Sequence, residues 1–417
     1  MEYCQGKQGE YAEIIPFINE VFGENFPVIL PKTYGPGKHF EEYHQLVKEE
    51  GVLKAVIGNY EQDFYIGNTV LKTGCVGSVS VSKQARGKGY MKLLMKKTEE
   101  AMRAHQVDIA FLGGMRNRYG FFGFEKSGFT YEFYFNEANI RQTIGWDEDA
   151  AVEIKPVMAD DPVLEELYAL YRKNTIWCRN REEFYEKSRT WNNEVFQTRL
   201  DGVFAGYFAA KGGCLVELAL ADWSNLLRVV KACMVKNKEK SLSIQALGWQ
   251  MEQLTALFMA CESYQLRTCC AFKILNYVNT ITALLKLKKT YTKLENGTLL
   301  LGIKQSNELE RKFEAGSRGM LISGVDKKLH LINCEATYVH DEYVPREEQI
   351  LLVRITVEDD NIEVMEVQEG IPALVLTDRE VTTVLMSPAG AFYAHSHQLK
   401  LKNWFPVEFS ISNLDEF

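Results

Sequence analysis

The segment at residues 74–92, GCVGSVSVSKQARGKGYMK, most constrains the fold of this chain, because it predicts a strand that runs through a glycine loop into a helix. β-Branched residues favour extended structure, and three valines lie in the first part of the segment: Val76, Val79 and Val81. Strands that alternate with helices are typical of α/β folds. We therefore expect this segment to lie at the centre of an α/β unit.

The loop of this segment carries Gln84, Gly87 and Gly89 at Q-x-x-G-x-G spacing. Two glycines allow several backbone N–H groups to point the same way, and the first N–H groups of the following helix have no partner within the helix. These groups and the positive end of the helix dipole favour a bound pyrophosphate. Arg86 and Lys88 lie beside the glycines and are expected to help hold it.

Several kinds of loop share this glycine spacing. An ordinary turn between a strand and a helix requires no ligand. A dinucleotide-binding loop requires a third glycine, where this chain has Lys92, and a P-loop requires Gly-Lys-Ser or Gly-Lys-Thr, which is absent. A loop that binds the pyrophosphate of an acyl-coenzyme A fits the glycines that are present.

A second motif, Tyr119-x-x-x-Gly123-Phe124, follows at the distance expected for the next strand and loop. V-x-V on the strand, Q-x-x-G-x-G in the loop and Y-x-x-x-G-F after the next strand resemble, in that order, the GCN5-related N-acetyltransferases (GNAT enzymes). The resemblance implies acetyl-CoA as cosubstrate. Tyr119 is also compatible with a packing role in an aromatic cluster with its neighbouring phenylalanines.

Length and composition set the broad class. A chain of 417 residues is too long for one core and predicts about two to four domains. The N-terminus lacks a basic and an apolar signal region, and no window approaches the ~18 apolar residues of a membrane span. Nine cysteines, an odd number, favour free thiols in a reducing compartment. We therefore predict a cytoplasmic protein.

The charge balance concerns the partners. The chain has 48 Lys and Arg against 56 Asp and Glu, a net charge of −8, which disfavours nucleic acid and anionic membrane and favours a cationic substrate. His395 and His397 would share one face of a strand, but no third ligand of suitable type lies nearby in the sequence, so no metal site is expected.

The chain divides into three predicted units, at residues 1–150, 151–290 and 291–417. The first has a helix at 11–22 and paired strands around a turn at 59–62. The second repeats a strand, 214–220, and a helix, but the loop between them, ALADWSN, lacks a glycine pair. The third combines the strands at 350–357 and 361–367 with the segments 316–325 and 373–388, and predicts an α+β domain.

The whole order resembles the enhanced-intracellular-survival (Eis-like) acetyltransferases. Softer likenesses in the later units are GYFAAKGGCLVELALAD, AFKILNYVNTITALLKL and LVLTDREVTTVLM. The resemblance implies two tandem GNAT-like mixed-sheet α/β domains, the second degenerate, and an α+β domain similar to sterol carrier protein 2. It also implies acetyl transfer to a primary amine, a tyrosine as general acid, the C-terminal carboxylate as general base, and a hexamer.

Carried over by position, the resemblance assigns the general acid to Tyr119 and the terminal carboxylate to Phe417. It assigns the acetyl-contacting strand and the pyrophosphate loop to ten residues: Val79, Ser80 and Val81 on the strand, and Arg86, Gly87, Lys88, Gly89, Tyr90, Met91 and Lys92 in the loop. Family members often have more arginine in the loop, so backbone N–H groups are expected to contribute more here.

Acetyl transfer to an amine requires a donor to the oxyanion and a base for the amine proton. A backbone N–H near Val81 is a suitable donor to the oxyanion. A terminal carboxylate, with a pKa near ~3.5, is a poor base unless burial or a neighbouring acid such as Asp415 or Glu416 raises that pKa. The tail is also compatible with a frayed end whose acidic residues only attract a cation.

The predicted acceptor is a primary amine of an aminoglycoside-like, polyamine-like or lysine-like molecule. The alternative is an apolar-ligand or lipid-binding protein in which the acetyltransferase domain is vestigial. Its supporting feature is the set of apolar strands at 350–385, since a lipid carrier needs an open apolar tunnel. The intact Q-x-x-G-x-G loop favours the enzyme.

Overall fold

The computed structural model of the chain describes residues 1–147, 149–304, 350–397 and 401–417. The predicted segment at 316–325 lies outside these residues. In chain order the strands are β1 (Glu2–Gln5), β2 (His44–Glu49), β3 (Val52–Ile66), β4 (Thr69–Val81), β5 (Ile109–Leu112), β6 (Glu125–Ser127), β7 (Thr130–Asn136), β8 (Val152–Pro156), β9 (Ile176–Trp177), β10 (Glu194–Leu200), β11 (Val203–Lys211), β12 (Cys214–Leu220), β13 (Ser241–Leu247), β14 (Ser263–Arg267), β15 (Cys270–Ile274), β16 (Gly297–Lys304), β17 (Ile350–Glu358), β18 (Asn361–Val367) and β19 (Leu374–Thr377).

The helices alternate with these strands. They are α1 (Tyr11–Phe22), α2 (Phe26–Ile29), α3 (Pro31–Tyr34), α4 (Tyr90–Ala104), α5 (Arg116–Tyr119), α6 (Glu137–Ile144), α7 (Leu164–Tyr171), α8 (Arg181–Ser188), α9 (Leu226–Asn237), α10 (Met251–Ala260), α11 (Tyr277–Lys289), α12 (Asp378–Met386) and α13 (Gly390–Ser396). In the part of the chain that is described, none of them is long and apolar enough to cross a membrane.

The first sheet has the order β1-β2-β3-β4-β5-β15-β6, with β9 added to β3. β4 and β5 are parallel and pair only over residues 73–75 and 109–111. Residues 76–81 of β4 keep their pairing with β3, with a bulge near Ser78. The strands therefore leave a gap between residues 76–81 and the end of β5, which we call the first cleft.

The second sheet, β14-β7-β13-β12-β11-β10-β8, repeats this construction. β12 and β13 are parallel and pair only through Cys214 with Ser243 and Leu215 with Ile244. The rest of β12, residues 216–220, stays paired with β11. We call the corresponding gap, between residues 216–220 and β13, the second cleft.

The two sheets exchange strands. β7 precedes the predicted boundary at residue 150 but pairs with β13 and β14 of the second sheet. β15 follows the second sheet in sequence but lies between β5 and β6 of the first sheet. The first two sheets therefore do not divide at residue 150, because strand partners distant in sequence decide which sheet a strand joins.

A third, four-stranded sheet has the order β18-β17-β16-β19, and its apolar residues share one buried cluster with the first sheet. Mixed helix and strand content is confirmed. The predicted turn at residues 59–62 was wrong: β3 runs through it, and the chain turns at Gly67, whose φ is +57°. His395 and His397 were also misplaced, since they lie at the end of α13 and not on a strand.

Candidate active site

The glycine loop has the conformation that its sequence requires. After a short 3₁₀ turn at Lys83–Ala85, Gly87 and Gly89 take φ values of +84° and +80°, which side chains with a Cβ rarely adopt. α4 begins at Tyr90, directly after Gly89. A Cβ at either glycine would meet no described atom within 4 Å, so the space beside the loop is open to a ligand. The first N–H groups of α4 have no carbonyl partner within the helix.

Of the two basic residues expected to hold a pyrophosphate, Lys88 is in an ion pair within the protein. The Lys88 ammonium lies 2.9 Å from a Glu49 carboxylate oxygen, and the Tyr90 hydroxyl donates to the same carboxylate. Lys88 is therefore already paired, whereas Arg86 is exposed and forms no ion pair with a described residue. Arg86 can therefore offer a positive charge to a pyrophosphate, and the backbone N–H groups can donate hydrogen bonds to it. Lys92 points further along α4, with its ammonium 5.7 Å from the centre of the Phe121 ring.

The strand predicted to contact an acetyl group is bent by the bulge. Ser78 has φ +52°, and the Ser80 hydroxyl donates to its carbonyl oxygen at 3.0 Å. Val79 and Val81 are half-buried on either side of the buried Ser80. The bulge therefore directs residues 79–81 along the edge of the first cleft.

The end of the chain lies in the first cleft. A Cβ at Gly77 of β4 would lie 2.6 Å from a terminal oxygen of Phe417, and a Cβ at Gly113, just after β5, would lie 3.3 Å from a Glu416 carboxylate oxygen. The Phe417 ring stacks on Tyr60 at 4.8 Å between ring centres. Glycine at these two positions leaves the room that the tail occupies, and the tail is packed rather than frayed.

A buried polar cluster lies beside the stacked rings of Tyr60 and Phe417. The Tyr34 hydroxyl contacts the Ser78 hydroxyl at 2.6 Å and Nε2 of His44 at 3.0 Å, and the Tyr60 hydroxyl contacts the same nitrogen at 3.1 Å. Burial lowers the pKa of His44 to about 4, so the imidazole is neutral. The cluster joins the β4 bulge to the ring on which Phe417 stacks.

Tyr119 lies at the other wall of the cleft. It is 6% exposed, packs in the cluster of Val76, Leu112 and Phe124, and contacts Gly114. Burial raises the pKa of Tyr119, which the Arg118 guanidinium partly opposes. Since Gly114 follows the glycine that faces Glu416, the structure brings Tyr119 and the tail to the same end of β5.

A cavity of about 750 Å³ extends from Lys92 along α4, beneath residues 120–124 and against α12. Its apolar floor includes Val76, Met95 and Met102. Phe121 and Phe122 also line it, so the predicted aromatic cluster is split: Phe124 is in the core, whereas Phe121 is 55% exposed.

A smaller cavity of about 320 Å³ lies on the other side of the tail, lined by Glu416 together with Ser412, Arg267 and Gln245. Burial raises the pKa of Glu416, and the Cys270 thiol donates to its carboxylate at 2.8 Å. Among the described residues no group of three potential metal ligands occurs.

Several residues of the site carried no sequence signal. Lys32, Tyr34, His44 and Tyr60 reach the cleft through contacts with residues distant in the chain. A glycine pair after β5, Gly113-Gly114, was the one local sign that another segment approaches there.

The comparisons with known proteins agree with this geometry. Residues 2–127 match the family model of the acetyltransferase (GNAT) domain. No curated protein matches the chain. A GCN5-related N-acetyltransferase from Kribbella flavida has a TM-score of 0.64 at 13% identity, covering 100% of this chain and 98% of that chain. One from Anabaena variabilis has a TM-score of 0.64 at 13% identity, covering 100% of both chains.

Eis1 from Mycobacterium abscessus is similar over 96% of this chain and 93% of its own, with a TM-score of 0.57 at 11% identity. At such identities these likenesses concern the fold. The chain therefore carries a GNAT acetyltransferase domain in its first part, and its full length shares the arrangement of these proteins.

Proposed function

We propose that this protein transfers acetyl from acetyl-CoA to a primary amine of a cationic acceptor, with Tyr119 as general acid and the Phe417 carboxylate as general base. The observation that carries the proposal is the position of the terminal carboxylate at Gly77, inside the first cleft of a GNAT domain. The glycine loop lies at one end of that cleft and Tyr119 at its far wall.

The cofactor fits the residues that are present. The open space beside Gly87 and Gly89 leaves room for a pyrophosphate, and Arg86 supplies a cation that forms no ion pair with the described residues. The cavity along α4 shares Lys92 with the loop and offers the exposed Phe121 ring to the rest of the coenzyme. The acetyl group would then lie beside residues 79–81.

In the transfer step, the amine nitrogen attacks the thioester carbonyl carbon and the carbon–sulfur bond breaks. Negative charge develops on the carbonyl oxygen, and a backbone N–H of the bulged strand near Val81 would stabilise it. The departing thiolate takes a proton from Tyr119. A thiol has a pKa near ~8.5 and a phenol near ~10, and burial raises that of Tyr119, so the phenol holds its proton until the thiolate forms.

The amine must lose a proton, since alkylammonium groups have a pKa near ~10.4. The terminal carboxylate is proposed to accept it. The charge of the neighbouring Asp415 is compensated by Arg179 at 2.7 Å. The Phe417 ring lies between Tyr60 and Lys32, which holds the end of the chain in the cleft.

The acceptor is proposed to enter through the smaller cavity, whose wall holds Glu416. A carboxyl group there and the net charge of −8 favour a cationic amine. The cavity of about 320 Å³ suits a small amine or a lysyl side chain better than a large aminoglycoside. A hexameric assembly and a third domain similar to sterol carrier protein 2 stay predictions of the resemblance.

The experiment is to incubate the protein with acetyl-CoA and a panel of primary amines and to measure the release of coenzyme A as free thiol. Reactions without amine correct for hydrolysis and for the protein's own thiols. We expect amine-dependent release. Absence of acetyl-CoA binding in isothermal titration calorimetry would overturn the proposal.

The apolar-ligand alternative is favoured by one observation, the apolar floor of the 750 Å³ cavity between α4 and α12. Stabilisation of the protein by fatty acyl ligands, together with no effect of acetyl-CoA, would support that alternative.

A further inference from the structure

A fully buried arginine of the second predicted unit holds the tail. Arg179 is 0% exposed, and its guanidinium lies 2.7 Å and 3.2 Å from the two Asp415 carboxylate oxygens. It also donates to both carboxylate oxygens of Glu217, at 2.9 Å and 2.7 Å, and to the Ser188 hydroxyl at 3.2 Å. A buried guanidinium with two bidentate carboxylate partners is fixed in direction as well as in position.

The residues around Arg179 attach this group to both sheets. Two residues before it, Trp177 of β9 pairs with Tyr65 of the first sheet. Glu217 belongs to β12 of the second sheet, where the Tyr207 hydroxyl donates to it at 3.0 Å. Arg179 therefore connects the second cleft to the tail that ends in the first cleft.

The rest of the tail is held by backbone contacts. The Lys32 ammonium donates to the carbonyl oxygens of Leu414 and Glu416, at 2.8 Å and 2.6 Å. The side chain of Gln62 donates to the Asp415 carbonyl oxygen at 3.0 Å, and the Trp191 indole donates to that of Asn413 at 3.1 Å. Chain ends usually fray, and four such hydrogen bonds from three side chains oppose this.

Among these contacts of the tail, the pair of Asp415 with Arg179 is the one in which both partners are charged side chains. Burial alone would raise the pKa of Asp415, but the Arg179 guanidinium holds it below its ordinary value, so the pair is ionised. Removing one partner of a buried ion pair leaves an uncompensated charge. An ionised Asp415 without Arg179 would turn toward water and carry the next two residues with it.

We propose that Arg179 is a positioning residue: through Asp415, it fixes the Phe417 carboxylate in the first cleft, so that the second unit completes the active site of the first. This inference rests on the proposed function, since it assigns the carboxylate a place in the reaction. A displacement of about 1 Å at a reacting group can cost on the order of 100-fold in rate.

The experiment compares Arg179→Met with the wild type in two assays. In steady-state kinetics we expect kcat to fall roughly 30- to 100-fold while the acetyl-CoA dissociation constant changes less than about threefold, because the glycine loop is untouched. In a carboxypeptidase digestion we expect the variant to release Phe417 and the wild type to retain it. The matched control is Arg181→Met, which removes an arginine that pairs at the surface with Glu165 at 2.7 Å, and we expect it to resemble the wild type in both assays.

An unchanged kcat in Arg179→Met, or a tail that stays resistant to the peptidase, would overturn the inference. If Arg179→Met does not fold, Arg179→Lys keeps the charge but loses the two-pronged geometry, and the same split between kcat and cofactor affinity is expected. If neither variant folds, Arg179 acts in folding and the inference is wrong. An inactive wild type with a protected tail would instead count against the proposed function.

Discussion

The first and the second cleft are built alike and filled differently. In each, two parallel strands pair briefly and then separate, and the strand that comes first in the sequence runs through a turn into a helix. The first cleft ends in a glycine loop with open space beside it and holds Phe417. The second contains the ion pairs of Arg179 with Glu217 and Asp415. The same arrangement of strands therefore holds the proposed reaction site in one place and the ion pairs proposed to anchor the tail in the other.

The two helix starts explain why only one of them suits a phosphate. Gly89 precedes α4, and a Cβ on it would meet no described atom within 4 Å. Before α9, the Asp222 carboxylate accepts from the Ser224 N–H at 2.9 Å, so an anion of the protein already lies at that turn. A second anion would be repelled.

The largest expected effect concerns the first loop. Gly89→Asp places a side chain and a negative charge where the pyrophosphate is proposed to lie, in a backbone region that only glycine adopts easily. We expect loss of measurable acetyl-CoA binding in calorimetry. Gly212→Asp is the matched control, since Gly212 also has a positive φ, +58°, and open space around it, but lies in a turn of the second sheet. An unchanged acetyl-CoA affinity in Gly89→Asp would mean that the glycine loop does not distinguish the first cleft from the second.

The next effect concerns the acid. Tyr119→Phe keeps the ring in its cluster and removes the proton, so we expect kcat to fall on the order of 100-fold or more while the acetyl-CoA dissociation constant stays nearly the same. Rapid-quench or steady-state kinetics measure the first quantity and calorimetry the second. A loss of melting temperature with an unchanged kcat would assign Tyr119 to packing.

A smaller effect concerns Lys32, the buried lysine that contacts the tail. Burial lowers the pKa of Lys32 to about 7, although the Asp415 carboxylate opposes this. A lysine of the unfolded chain titrates near ~10.4, so between these values the unfolded chain binds a proton that the folded chain does not. Raising the pH through this window therefore stabilises the folded state.

We expect the free energy of unfolding of the wild type to rise, relative to Lys32→Met, by about 2 kcal/mol between pH 7 and pH 9, measured by urea denaturation. Lys38→Met, which removes a half-exposed lysine paired with Glu186, should show the wild-type slope. Equal slopes for the wild type and Lys32→Met would mean that Lys32 is not held uncharged beside the tail.

The smallest effect concerns the second cleft. Asp222→Asn removes the negative charge at the start of α9, yet we expect one acetyl-CoA per chain and a change in kcat of less than about twofold, because the neighbouring cleft is occupied by the Arg179 ion pairs. Calorimetric stoichiometry checks this. A second binding event in the variant would show that charge alone separates the two clefts.

The sequence predicted the local parts of this account. α1 was expected at residues 11–22, where it lies, and a helix directly after the glycine loop was expected from the spacing, because helix starts and turns depend on neighbours in the chain. The strand exchange of β7 and β15 was not expected. Their apolar patterns fit a strand in either sheet, and only the folded partner decides between them.

The site was predictable to a similar degree. Lys88 was expected at a phosphate, but its ion pair with a glutamate 39 residues earlier in the chain was not. Asp415 was expected to act on the terminal carboxylate, but its partner Arg179 lies 236 residues away. Side-chain charges can be counted from a sequence, whereas the pairs they form depend on the folded chain.

The terminal carboxylate in the first cleft is the central group of the proposed reaction. The most direct measurement is kcat for a chain that carries one additional glycine after Phe417, compared with the wild type at equal acetyl-CoA saturation. The extension converts the Phe417 carboxylate to an amide and moves the charge by one residue, while the glycine loop and Tyr119 are unchanged. We expect kcat to fall on the order of 100-fold with a melting temperature within a few degrees of the wild type. An extended chain that turns over like the wild type would contradict the account.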